Sequence, residues 1–158
     1  RSAIPDRLHV VRDESFYRWR FANPLWTTTA YVARRDGRPV ASLVVTERAS
    51  DPHVAFLADT LPLVPPGDRR AYAALLRAAM ADTTADVVRA CDAVLPSGLL
   101  RAFGFYATDS FPLSRLSTRV QLAVRPGVLG AEDAWRLGGR ALDDVDDWHL
   151  SLSSKDIG

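Results

Sequence analysis

Asp36-Gly37 stands between two runs rich in Thr, Val, Ala and Tyr, residues 28–34 and 39–46, and this limits the fold more than any other feature. Such a dipeptide tolerates the positive φ of a two-residue turn, and β-branched and aromatic residues on either side favour pleated backbone, so the segment predicts an antiparallel hairpin. Residues 53–60 read as a third strand of buried type. A loop follows, Leu61-Pro62-Leu63-Val64-Pro65-Pro66-Gly67, whose prolines forbid regular pairing. Asp68 is placed to cap a helix running to about residue 81, with Tyr72, Leu75, Leu76 and Ala79 as its apolar stripe.

Elsewhere the same rules give the remaining elements. Asp13 caps an aromatic helix over 14–22, in which Phe16 meets Trp19 and Tyr17 meets Phe21, and Asn23-Pro24 stops it. Residues 85–92 form a strand, Pro96-Ser97-Gly98 opens a short helix to 103, and Gly104 closes it. Residues 118–124 alternate as a half-exposed strand, 132–142 read as a helix, and 147–152 as a final strand. A meander followed by helix–strand crossovers predicts an α/β (α+β) fold, with a mixed sheet covered by helices.

At 158 residues with 47% hydrophobic content, one domain over residues 1–158 buries enough surface to need no staple. The single Cys91 and the lack of a leader-like segment predict a cytoplasmic setting. No apolar run approaches the roughly 18 residues of a membrane span. A net charge of +1 offers no basic field for nucleic acid. The chain opens at Arg1 rather than Met, which reads as a piece excised from something longer.

Phosphate-loop, dinucleotide, nucleophile-elbow and zinc-pair motifs do not occur. His9, His53 and His149 are isolated in sequence, so no metal is expected. The acidic run Asp143, Asp144, Asp146 and Asp147 lacks the glycine and glutamate of a calcium loop and reads as a solvated turn. The most informative chemistry lies where Arg69 and Arg70 occupy the first turn of the second helix. Cations there oppose the helix dipole and ask for an anion, either a bound phosphate or a carboxylate of the chain itself, Asp68 included.

The succession of strands, the stretch from Asp59-Thr60-Leu61 through Asp68-Arg69-Arg70 into Leu75-Leu76, and the later Phe103-Gly104-Phe105 resemble the GNAT superfamily of acyl-CoA-dependent N-acetyltransferases. More narrowly, Phe16-Tyr17-Arg18-Trp19-Arg20-Phe21-Ala22-Asn23-Pro24 with the closing Trp148-His149-Leu150-Ser151-Leu152 looks like the C-terminal GNAT-like half of tandem proteins. The resemblance implies a mostly antiparallel central sheet containing one splayed parallel strand pair. It also implies acetyl-CoA or another acyl-CoA as co-substrate and a small-molecule or peptide amine as acceptor. Cofactor contacts are then expected from Leu61, Leu63, Val64, Gly67, Asp68, Arg69 and Arg70.

For catalysis, Asp59 or Glu47 is the candidate base and Tyr106 the candidate acid; the other reading of each carboxylate is an ordinary strand-end or surface group. Trp19, Arg20, Tyr31 and Trp148 are candidates for the substrate cleft, with core packing the alternative for the aromatics. Two departures from the family pattern stand out: Tyr72 falls where a motif opening at Arg69 has glycine, and Leu100 where the family often has a tyrosine acid. They favour a second reading, a catalytically degenerate module that binds a substrate, an N-terminal GNAT domain of the full-length chain, or a second copy of itself.

Overall fold

The computed structural model describes residues 11–62, 68–90 and 94–108, together with Arg115, Arg136–Leu137 and Arg140–Ala141. Helix α1 (Glu14–Phe21) begins where the Phe16 N–H donates to the Asp13 carboxylate at 2.8 Å. Its aromatics meet as their spacing requires, with Tyr17 stacked on Phe21 at 5.7 Å and Phe16 tilted against Trp19 at 6.2 Å.

Strands β1 (Trp26–Arg35) and β2 (Arg38–Arg48) are joined through Asp36 and Gly37, with φ of 50° and 76°. Both values lie in the left-handed region, so the turn follows the twist of its strands. Strand β3 (Asp51–Leu61) extends the antiparallel meander, and β4 (Val87–Ala90) joins β3 in parallel, giving the sheet order β1-β2-β3-β4. The crossover between the parallel strands is helix α2 (Arg69–Asp82), and α3 (Ser97–Ala102) follows β4. Gly104, at φ 82°, ends that last helix as its sequence position predicts. The fold is therefore mixed α+β, with a mostly antiparallel sheet and one parallel pair.

Helix α2 buries Ala71, Tyr72, Leu75, Leu76 and Ala79, the stripe its periodicity predicts. They pack on Ala41, Leu43 and Val45 of β2 and Ala55 and Leu57 of β3, closed over by Val94, Leu95, Leu99 and Leu100. Burying each large aliphatic here contributes roughly 1.5 to 3 kcal/mol. Leu100 is thus a core residue.

One irregularity decides where side chains point. Val45 pairs with Leu57 but Val44 pairs with Asp59, which leaves Ala58 as an extra residue in β3. In an uninterrupted strand Asp59 would share the α2 face with Ala55 and Leu57. The bulge reverses the alternation, putting Asp59 on the face of Val44, away from α2, and Thr60 on the face of Leu43. Strand β3 continues to Leu61, beyond its last described pair with β4 at Leu57 and Ala90. There the buried Thr60 hydroxyl donates to the Val94 carbonyl at 2.8 Å.

One expectation is overturned. The helix expected over 132–142 is contradicted at its described residues, where Arg136–Leu137 (β5) and Arg140–Ala141 (β6) pair antiparallel, Arg136 opposite Ala141 and Leu137 opposite Arg140. Between them the sequence reads Gly138-Gly139, poor for a helix interior and favourable for a two-residue connection. The expected strand over 85–92 is shorter, Val87–Ala90, among the described residues. The strands expected over 118–124 and 147–152 lie outside the described residues, as does Cys91.

Candidate functional site

The residues singled out from sequence are distributed over three places. At the N-terminal end of α2, Asp68 accepts from the Ala71 N–H at 3.2 Å and pairs with Arg35, the last residue of β1 before the hairpin turn. These contacts, the Ala71 N–H bond first and Arg35 after it, hold its carboxyl below the ordinary range. Arg69 and Arg70 are exposed and, among the described residues, face no carboxylate in an ion pair. The Arg69 guanidinium lies beside Gly98 in the first turn of α3. Tyr72 is buried, its hydroxyl donating to the Pro62 carbonyl at 3.4 Å, and burial pushes that phenol up to about 12. Leu61 is at the end of β3, while Leu63, Val64 and Gly67 lie outside the described residues.

On the sheet face turned away from α2, Asp59 sits in a closed network. The Arg12 guanidinium donates to its Oδ1 at 3.0 Å and the Tyr17 hydroxyl to its Oδ2 at 3.1 Å, while the Thr60 N–H also donates to Oδ1 at 3.0 Å. Each side chain of the ion pair is only 2% exposed. Burial, then the neighbouring Asp59 charge, raises the Tyr17 phenol far above its ordinary value, so it stays a donor. Asp59 thereby fastens α1 and the segment before it to the sheet, and as a fully engaged carboxylate it is a poor proton acceptor. No sequence pattern links Arg12 to it; the two are 47 positions apart.

The third place is a cleft of about 240 Å³ at the C-terminal end of α2, lined by Thr27, Thr29 and Tyr31 of β1, Val45 and Glu47 of β2, and Asp82, Thr83 and Thr84. Glu47 accepts from the Thr83 hydroxyl at 2.7 Å. The Tyr31 phenol lies near Asp82 and is raised, by desolvation first and that carboxylate second. Glu47 and Tyr31, chosen separately from sequence as base and substrate contact, are thus brought together. Asp82, beside them, is separated from Arg69 by the length of α2, about 20 Å at 1.5 Å per residue.

None of the contacts named at the three places involves the other candidates. Tyr106 is 82% exposed and Trp19 70% exposed. Arg20 is half-buried and has a partner, and Trp148 lies outside the described residues. His53 faces Asp86 across the parallel strands at 2.7 Å on the surface. Among the described residues no three His, Cys, Asp or Glu side chains gather as a metal site, and no helix is long and apolar enough to cross a membrane. Compared with protein-family models, curated proteins and solved structures, the chain finds no significant match.

Proposed function

We propose that this chain is an acyltransferase domain of the GNAT type, transferring an acetyl or longer acyl group from acyl-CoA to an amine. One observation carries the reading: an antiparallel meander is joined through helix α2 to a parallel strand, with exposed Arg69 and Arg70 in the first turn of that helix. A diphosphate bound there would relieve the opposition between those cations and the helix dipole. Bound acyl-CoA supplies a thioester carbonyl that an amine attacks, with the thiolate leaving. Arg69 and Arg70 would hold the phosphates, while the bulge at Ala58 interrupts the β2–β3 ladder just past the last described pair of β3 with β4.

A specific observation favours the second reading, a non-catalytic module for a partner domain or a second copy. Asp68 already occupies the N-terminus of α2 and engages the Ala71 N–H. The Arg side chains therefore fit the charge of a diphosphate, whereas this backbone donor is committed. Asp59 is likewise engaged by Arg12 and Tyr17.

Calorimetric titration with acetyl-CoA, with desulfo-CoA and ATP as controls, separates the two. The acyltransferase reading expects saturable binding in the micromolar range, about −8 kcal/mol. Replacing Arg69 and Arg70 together by Ala should weaken it at least about tenfold through the loss of two phosphate contacts. Absence of binding at millimolar ligand, or affinity unchanged in the double variant, rejects the phosphate role and leaves the module.

A further inference from the structure

Strand β1 is an edge of the sheet: among the described residues its only ladder partner is β2. The direction of its backbone groups follows from one bond. Leu25 accepts from the Ala49 N–H at 2.9 Å, and Trp26 opposite Arg48 continues the same register. Opposed residues of an antiparallel ladder alternate between bonded and non-bonded pairs, so Thr27, Thr29, Tyr31 and Ala33 turn their N–H and C=O groups to β2. Trp26, Thr28, Ala30 and Val32 turn theirs outward. The Trp26 N–H is engaged by the Asn23 carbonyl at 3.1 Å, whereas those of Thr28, Ala30 and Val32 have no backbone acceptor among the described residues.

Edge strands are commonly blunted by charge, proline or a bulge. From Leu25 to Ala33 this edge carries neither charge nor proline, and it is rich in Thr, Tyr, Val and Trp. The irregularity in its pairing with β2 comes only between Ala33 and Arg34. Thr27, Thr29, Ala30 and Val32 are exposed, Val32 at 47%. An uncharged stretch of high β-propensity with outward donors is a template for a further strand.

The span is complementary to itself. Pro24 bounds it on one side and Arg34 on the other, and its midpoint is Thr29. An antiparallel twin centred there sets Thr29 opposite Thr29, Thr27 opposite Tyr31, Thr28 opposite Ala30 and Trp26 opposite Val32. Outward-facing residues then oppose one another, whereas a slip of one residue would set them against positions whose groups face β2. Threonine pairs, and an aromatic opposite a β-branched residue, are favourable across strands. Arg34 and Arg35 of each copy fall beyond Leu25 of the other, so no like charges are opposed, and a net charge of +1 leaves no long-range barrier.

We propose that this chain pairs with a second copy of itself through β1, antiparallel and centred on Thr29, so that one sheet runs through both copies. The Thr28, Ala30 and Val32 N–H groups donate to the carbonyls of the partner's Ala30, the partner's Thr28 and the partner's Trp26. This pairing gives the second copy of the module reading a surface, but it rests on the strand edge alone and stands or falls apart from acetyl-CoA binding.

Sedimentation of the whole chain from micromolar to several hundred micromolar, with amide hydrogen exchange at both limits, tests it. The weight-average mass should climb toward twice that of one chain. The Thr28, Ala30 and Val32 amides should gain protection as it climbs, while Thr29 and Tyr31, already bonded to β2, change little. Thr29→Lys sets two ammonium groups face to face at the twofold axis and should weaken association at least about tenfold. The pairing is overturned if the chain stays monomeric throughout, if the mass rises without protection of those three amides, or if the folded variant associates like the parent. Should the variant unfold, the concentration dependence of the parent's amides still decides.

Discussion

Replacing Arg12 by Met should destabilise this protein by about 3 to 5 kcal/mol, although Arg12 lies outside every regular element. The side chain keeps similar length, so the loss is chiefly of charge and hydrogen bonding. What remains is the Asp59 carboxylate, 2% exposed, with donors from Tyr17 and Thr60 but without the guanidinium at 3.0 Å. Breaking a buried ion pair from one side costs about this much because the orphaned charge cannot recover its hydration. In a chain of this size each kcal/mol moves the thermal midpoint by about 2 to 4 °C, so a fall of roughly 6 to 20 °C is expected. Thermal and urea unfolding of Arg12→Met, Asp59→Leu and the double variant measure it. The double variant should lose less than the sum of the singles by about 2 kcal/mol or more, since no unpaired charge is left inside. A loss below about 1 kcal/mol for Arg12→Met, or simple additivity, would refute the assignment of Asp59 as a structural anchor.

Two further outcomes follow from local geometry. Gly37→Ala should cost about 1 to 2 kcal/mol in urea unfolding despite open space around its Cβ position, because φ of 76° is strained for any L side chain. A loss near zero would mean the turn relaxes to another type. Tyr72 titrates at about 12 in the folded chain against 10 unfolded, so above pH 10 the unfolded state loses its proton first. Stability held below that pH should then fall as pH rises toward about 12. Tyr72→Phe should show a shallower decline across the same window, and identical slopes would contradict the burial of this phenol.

Local chemistry was legible wherever neighbouring residues alone settle the backbone. Asp13 and Asp68 cap their helices, Asp36-Gly37 turns the hairpin, and the stripe of α2 is the buried one, since each depends on contacts within a few positions. The expected helix over 132–142 shows the limit: its periodicity outweighs Gly138-Gly139 in the sequence, although those glycines suit the pairing of Arg136–Leu137 with Arg140–Ala141.

Which distant groups meet is set by how the elements pack. The bulge at Ala58 sends Asp59 to the face where Arg12 and Tyr17 wait, and pattern reading along β3 cannot foresee a reversal that depends on its register with β2. Arg35 reaches Asp68 only because the hairpin passes the start of α2, and Glu47 meets Thr83 only because that helix ends beside β2. Sequence determined the elements and the faces they bury, through short-range sterics and periodicity. The fold determined the sites, because a carboxylate's role depends on which charges and donors the chain brings within about 3 Å of it.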